Sequence, residues 1–191
     1  QLAHAFALSA AGREEEAMAL IRELAAQGDP DALFTLADAH WRGGPVPQDF
    51  ARGRELFERA SNAGHAVAIR AFTNLLASGV VGPADWPRAI GRLRVEARGD
   101  TLRAQMLSLI EAMDLTAAGD PKAIPEGRGL SEAPRVTLFP QAFTPAECDY
   151  LVMISEPTFA PSMSADGKGG DIRDPIRTSD GATLHWLAED P

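Results

Sequence analysis

The sequence predicts a mainly α-helical chain, a right-handed α/α solenoid of helical-hairpin repeats over residues 1–115, followed by a linker (116–134) and a short α+β segment (135–191). Three observations carry this. At an offset near 36, Gly28 falls on Gly64 and, one residue short, on Gly99, so three corners share one register. Between the corners, apolar residues recur at helical spacing, and Leu20/Leu56, Ala32/Ala68, Pro47/Pro83, Asp49/Asp85 and Phe50/Trp86 coincide at the same offset. Beyond Thr116 the helical period stops and turn residues take over.

Within one unit, Ala32, Leu33, Leu36, Ala37 and Ala39 form the apolar stripe of a helix that Gly43, Gly44 and Pro45 terminate. A second helix runs from about Asp49 to Ala63, with Phe50, Leu56, Phe57 and Ala60 apolar and Arg52, Arg54, Glu55, Glu58 and Arg59 on a polar face. A lone hairpin cannot bury its stripe, so neighbouring hairpins must stack. Residues 1–27 read as a worn first unit turning at Gly12, and 99–115 supply one helix of a further unit.

Past Thr116, the segments Ala117-Ala118-Gly119-Asp120-Pro121 and Gly127-Arg128-Gly129-Leu130-Ser131 read as linker. Arg135 to Phe139 then predicts a strand. Thr144, Pro145 and Glu147 predict a capping box opening a helix that runs to about Ser155, with Cys148, Leu151, Val152 and Ile154 free to pack. Ser162 to Asp171 is polar and glycine-rich and predicts a mobile loop. Ile176 to Ser179 and Ala182 to Trp186, with Asp180-Gly181 between them, predict a hairpin.

Composition excludes several function classes. The net charge is −9, and residues 135–191 hold 4 basic and 9 acidic side chains, which does not suit a nucleic-acid surface. A single cysteine, Cys148, forms no intrachain disulfide and no Cys-based zinc site, and it reads as a small buried residue rather than a nucleophile. No apolar run reaches membrane-spanning length and no signal peptide opens the chain, so a cytoplasmic protein is expected. Nucleophile elbows, phosphate-binding loops and Cys-x-x-Cys are absent from the sequence.

The stretches Gln27 to Ala32, Gly43 to Ala51 and Asn62 to Ala66 resemble Sel-like repeats, relatives of tetratricopeptide repeats; the likeness is closest in 28–63 and decays through 64–98 and 99–115. This resemblance implies a concave protein-binding surface without catalysis of its own. Asp38, Trp41, Arg70 and Asn74, on the first helices of their units, are the candidates for lining that groove. His65 stands where such repeats often carry His, for a packing reason.

The order strand, capped helix, Gly-rich loop and Arg177-Thr178-Ser179, with Phe143 to Asp149, resembles the opening of prolyl 4-hydroxylase-like dioxygenases over residues 135–191. That resemblance implies the start of a jelly-roll, or double-stranded β-helix, domain, and Arg177, Thr178 and Ser179 as substrate-side groups or as a hydrogen-bonded strand end. It also implies Fe(II) and 2-oxoglutarate for the complete protein, with room for ascorbate, and a protein or peptide substrate.

Such chemistry needs two imidazoles and a carboxylate on one face of the metal. None of His4, His40, His65 or His185 has Asp two residues on, so neither catalytic nor metal residues are assigned in this chain; His185 with Glu189 or Asp190 makes only a two-ligand alternative. Two functions therefore stand as expectations: the front part of a hydroxylase whose repeats recruit its substrate, or a non-catalytic interaction scaffold. An incomplete barrel would leave strand edges unpaired, which predicts that 135–191 are partly disordered, covered by the repeats, or covered by a second copy.

Overall fold

The computed structural model describes residues 1–168, 170–173, 176 and 178–184. They divide into two units. The first comprises Gln1–Leu107 with Ala117–Gly119, and the second takes Ser108–Thr116 and the described residues from Asp120 onward.

The first unit is a series of helical hairpins: α1 (Leu2–Ala10) with α2 (Glu14–Ala26), α3 (Pro30–Arg42) with α4 (Phe50–Asn62), and α5 (Ala66–Ser78) with α6 (Trp86–Glu96), followed by the start of α7 (Thr101–Ala112), whose residues from Ser108 onward belong to the second unit. The substantial helix–helix contacts join helices consecutive in the chain, from α1–α2 through α5–α6. Such nearest-neighbour packing is the physical signature of a repeat stack.

The corners follow from local chemistry. Gly12, Gly28 and Gly64 adopt left-handed φ of 75°, 87° and 92°, and the next residue's N–H reaches back to the carbonyl of Leu8, Leu24 or Ala60 (2.9, 3.1 and 3.0 Å). This is the Schellman closure that satisfies carbonyls left open at a helix end. Asp29 and His65, immediately after two of these glycines, then cap the next helix by accepting from Ala32 N (2.9 Å) and Ala68 N (3.1 Å). Gly99 does not join its equivalents in the left-handed region, and its repeat is one residue short.

The loops inside the hairpins repeat as well. Asp49 N donates to His40 O and Asp85 N to Leu76 O, both at 2.8 Å, while the two aspartates cap α4 and α6 through Arg52 N and Arg88 N.

The core lies along the helix seams, where Leu33, Leu36, Leu56, Phe57, Phe72, Leu75 and Leu93 are all buried. Burial of a side chain such as Phe57 or Phe72 stabilises by about 1.5–3 kcal/mol. Small residues set the helix spacing: Ala17, Gly53 and Ala89 occupy equivalent places in α2, α4 and α6 and are buried. A Cβ on Gly53 would sit 3.2 Å from the Trp41 ring and 3.3 Å from Ala37 O, so α3 and α4 meet almost backbone to backbone there.

In the second unit, β1 (Arg128–Glu132) pairs antiparallel with β2 (Arg135–Leu138), placing a strand inside the segment read as linker. Ala117–Gly119 of that segment belongs to the first unit, where Gly119 lies against the Trp86 ring. Helix α8 (Pro145–Ser155) opens on the expected capping box: Thr144 N donates to Glu147 Oε2 (2.7 Å) and Glu147 N to Thr144 Oγ1 (3.3 Å).

Three expectations fail here. The described residues of Ser162 to Asp171 are not wholly irregular: β4 (Ser164–Ala165) pairs with β5 (Asp171–Ile172). The Asp166 carboxylate accepts from Lys168 N (2.7 Å) and Gly170 N (2.9 Å), an Asx-type closure that substitutes for apolar content. Backbone hydrogen bonds, from Gly170 first and then from Lys168, hold the Asp166 carboxyl below its ordinary pKa. Second, Asp180–Gly181 is not a hairpin turn but strand β6, paired with β3 (Ala160–Pro161), because Ser162 N donates to Ser179 O (2.9 Å) and draws this segment into a long-range ladder. Of the proposed second arm, Trp186 lies outside the described residues. Third, Cys148 is exposed rather than buried: on α8 only Ile154 is buried, and Leu151 and Val152 are exposed, with no second apolar layer over them among the described residues.

Candidate functional site

Arginines on the second helices line grooves that recur with the repeat: Arg22 of α2 with Arg52 and Arg59 of α4, and Arg88 with Arg92 of α6, whereas Arg54 turns the other way and donates to Leu75 O and Val80 O. Between α2, α3 and α4 lies a groove of about 310 Å³ floored by Ala25, Ala26 and Leu36 and rimmed by Arg22, His40, Arg52 and Arg59. One repeat onward, between α4, α5 and α6, a larger groove of about 500 Å³ is lined by Ser61, Ile69, Arg88, Gly91, Arg92, Val95 and Glu96. Ala25 and Ser61, Arg52 and Arg88, and Arg59 and Val95 are equivalent pairs at the 36-residue offset, so the two grooves are one feature repeated.

Their electrostatics differ. Among the described residues no acidic side chain lines the wall of the first groove. The Arg22 side chain is exposed and makes no ion pair or hydrogen bond among the described residues. Arg59 donates to the Ala25 carbonyl (3.2 Å), and Arg52 pairs at 2.5 Å with Glu55, where both side chains are well exposed. An exposed pair of that kind is worth less than about 1 kcal/mol and yields readily to another carboxylate.

In the second groove the cations are already engaged. Arg88 pairs with Glu58 (2.9 Å), and Arg92 donates to Thr73 Oγ1 (2.9 Å), Ser61 Oγ (2.6 Å) and Ile69 O (3.3 Å). Both guanidiniums stand over the Phe72 ring, at 5.4 and 5.2 Å from its centroid. Burial lowers the Arg92 pKa from its ordinary value, with Glu96 opposing that shift.

Behind this groove lies a buried polar cluster. The Arg103 guanidinium, its side chain 2% exposed, meets the Glu96 carboxylate, 8% exposed, at 2.8 Å. Glu96 also accepts from Thr73 Oγ1 (2.5 Å), and Asn74 Oδ1 accepts from Arg103 (3.3 Å). At the repeat offsets Glu96 occupies the column of Leu24 and Ala60, and Arg103 that of Ala32 and Ala68. An apolar seam in the earlier repeats has become an ion pair in the last.

The four residues read as groove-lining are dispersed, and none lines either groove. Asp38 pairs with Arg42 at 2.8 Å. Trp41 is buried edge-on against Phe50 and Phe57. Arg70 lies 3.9 Å from Asp100, and Asn74 supports Arg103. Arg22, Arg52 and Arg59, which line the first groove, were not among the residues expected to line one, although the recurrence of Arg52 at Arg88 on the polar face was a usable signal.

Among the substrate-side candidates, Ser179 Oγ donates to Ser162 Oγ (3.2 Å), Thr178 is exposed, and Arg177 lies outside the described residues, as do His185, Glu189 and Asp190. Among the described residues no three His, Cys, Asp or Glu side chains are gathered so as to hold a metal ion, and no helix is long and apolar enough to cross a membrane. The described residues therefore do not fit an iron site.

Stacked hairpins with grooves between second helices define a helical-repeat protein, mainly α with a few short strands toward its C-terminal side. No family model and no curated protein matches the sequence. Among solved structures, the chain is similar to a protective antigen present in uropathogenic Escherichia coli strains and displaying an SLR fold, with TM-score 0.46 and 26% identity over 58% of this chain and 24% of that one. It is also similar to a Sel1 repeat protein from Oxalobacter formigenes, with TM-score 0.44 and 24% identity over 56% of this chain and 43% of the other. The matched region thus spans about a quarter and under half of those two chains.

Proposed function

We propose that this chain is a docking platform that binds protein partners through its repeats. The supporting observation is the pair of grooves one repeat apart, each floored by apolar side chains and rimmed by arginine, a residue enriched at protein interfaces. Peptides selected from a random display library against the full chain test this. Binding should slow hydrogen exchange in α2 to α6. Selection of no peptide, or protection confined to residues 120–184, would refute the reading.

A second reading takes residues 135–191 as the opening of a prolyl 4-hydroxylase-like domain, with Fe(II), 2-oxoglutarate and ascorbate serving the complete protein. It is supported by the Thr144–Glu147 capping box and by the apolar surface that the second unit exposes at Phe139, Phe143, Val152 and Met153, which further barrel strands would cover. No iron-holding set stands among the described residues. Succinate release by the longer gene product, supplied with Fe(II), 2-oxoglutarate and candidate peptides, is the measurement. No succinate, together with no His-x-Asp and later His downstream, removes this reading.

A further inference from the structure

We infer that the groove between α2, α3 and α4 is selective for an acidic peptide segment, one of whose carboxylates is received by Arg22 and Arg52. The inference rests on the docking-platform reading and adds the chemistry of the partner. Arg22, Arg52, Arg59 and His40 line one groove over a small apolar floor with no acid in its wall among the described residues, although the chain as a whole carries a net charge of −9. A local positive groove attracts a negative segment at short range and disfavours a positive one.

The two arginines suit this task because their engagements are light. Arg22 is uncommitted among the described residues, and Arg52 holds only the exposed Glu55, so a peptide carboxylate can replace Glu55 and gain charge-assisted hydrogen bonds from both guanidiniums. Arg59 stays with the Ala25 carbonyl and closes the groove's side. Ala25, Ala26 and Leu36 leave room for a small apolar neighbour of the acid, as the groove holds only about 310 Å³.

The equivalent groove one repeat on is an internal control. Its Arg88 is paired with Glu58, its Arg92 is consumed by Thr73, Ser61 and Ile69, and Glu96 stands in the wall. A negative ligand gains little there.

Fluorescence anisotropy with the full chain and a labelled Glu- and Ala-rich peptide tests the inference, with Gln-for-Glu and Lys-for-Glu peptides as comparisons. The Glu peptide should bind about tenfold or more tighter than its Gln counterpart, with affinity falling as salt rises. Arg22→Ala and Arg52→Gln should each weaken it about tenfold, whereas Arg88→Gln should leave it within about twofold. Unchanged melting curves will show that the variants remain folded, since both substituted side chains are at the surface.

Equal binding of Glu and Gln peptides, or indifference to Arg22→Ala, would overturn acid selectivity while leaving the platform reading intact. Binding of none of the peptides, with library selection also empty, would sink both. A single-stranded oligonucleotide that displaces the Glu peptide and binds more tightly would reassign the groove to phosphate. Self-association abolished by Arg22→Ala would reassign it to a second copy of the chain.

Discussion

His65 shows how much one side chain can carry at a corner. Its Nδ1 accepts the N-capping hydrogen bond from Ala68 N, its ring stacks on Phe34 at 4.2 Å with an 11° tilt, and Nε2 lies 3.7 Å from Asp31. Capping requires the neutral ring with the proton on Nε2. Burial lowers the His65 pKa below 6.5, and Asp31 opposes it. The unfolded state therefore binds the proton more readily, and the stabilisation is fully present above the unfolded pKa and lost as pH falls through the folded one. Thermal melts should show the wild type losing Tm between about pH 7.5 and 5 more steeply than His65→Asn, which keeps a capping oxygen without titrating. At pH 7.5, His65→Ala should cost about 1 kcal/mol in urea unfolding.

At the level of elements, glycines of identical type play opposite parts, and space decides which. Gly53 in α4 faces the Trp41 ring and Ala37 O, so Gly53→Leu should destabilise by about 1–3 kcal/mol through overpacking. A Cβ added to Gly91 in α6 would meet nothing within 4 Å, so Gly91→Ala should stabilise by about 0.5–1 kcal/mol by reducing backbone freedom in the unfolded chain. Denaturant midpoints compare the two directly. The Glu96–Arg103 pair offers a sharper contrast. Breaking it with Arg103→Met alone should cost about 3–5 kcal/mol, because a buried carboxylate loses its partner. The double change Glu96→Leu with Arg103→Ala, copying the Leu24 and Ala32 columns, should recover most of that loss. A double variant as unstable as the single one would show that the polar cluster cannot revert to the apolar seam of the other repeats.

Across the molecule, stability is concentrated unevenly. The first unit buries a continuous seam from Ala5 to Leu93, whereas Ile154 is the one buried hydrophobic residue of the second unit among the described residues. Both strands of the β1–β2 ladder are exposed along their length. Local opening is easiest where few apolar contacts must be broken. Native-state hydrogen exchange should therefore find the slowest amides in α3 to α5 and markedly faster ones in 128–138. Equal protection in the two regions would mean that the second unit acquires a cover in solution.

Much of the repeat unit was legible because its signals are local. A glycine able to take positive φ, an aspartate one residue before a helix, and an apolar stripe at helical spacing each act within a few residues, so Gly28, Gly64, Asp49 and Asp85 could be read from the chain alone. The candidate site was not legible in the same way. Asp38, Trp41, Arg70 and Asn74 were selected by their place on first helices, but packing buries Trp41 and draws the others into separate polar contacts. The tertiary structure alone decided that Arg22, Arg52 and Arg59, distributed over two helices and diluted by a net negative composition, share one groove. It likewise decided that Asp180–Gly181 pairs with Ala160–Pro161, since a ladder between distant segments depends on which strand edges meet. Periodicity and turn chemistry determined the hairpins by themselves; the juxtaposition of charges required the stack, because electrostatic character belongs to positions in space.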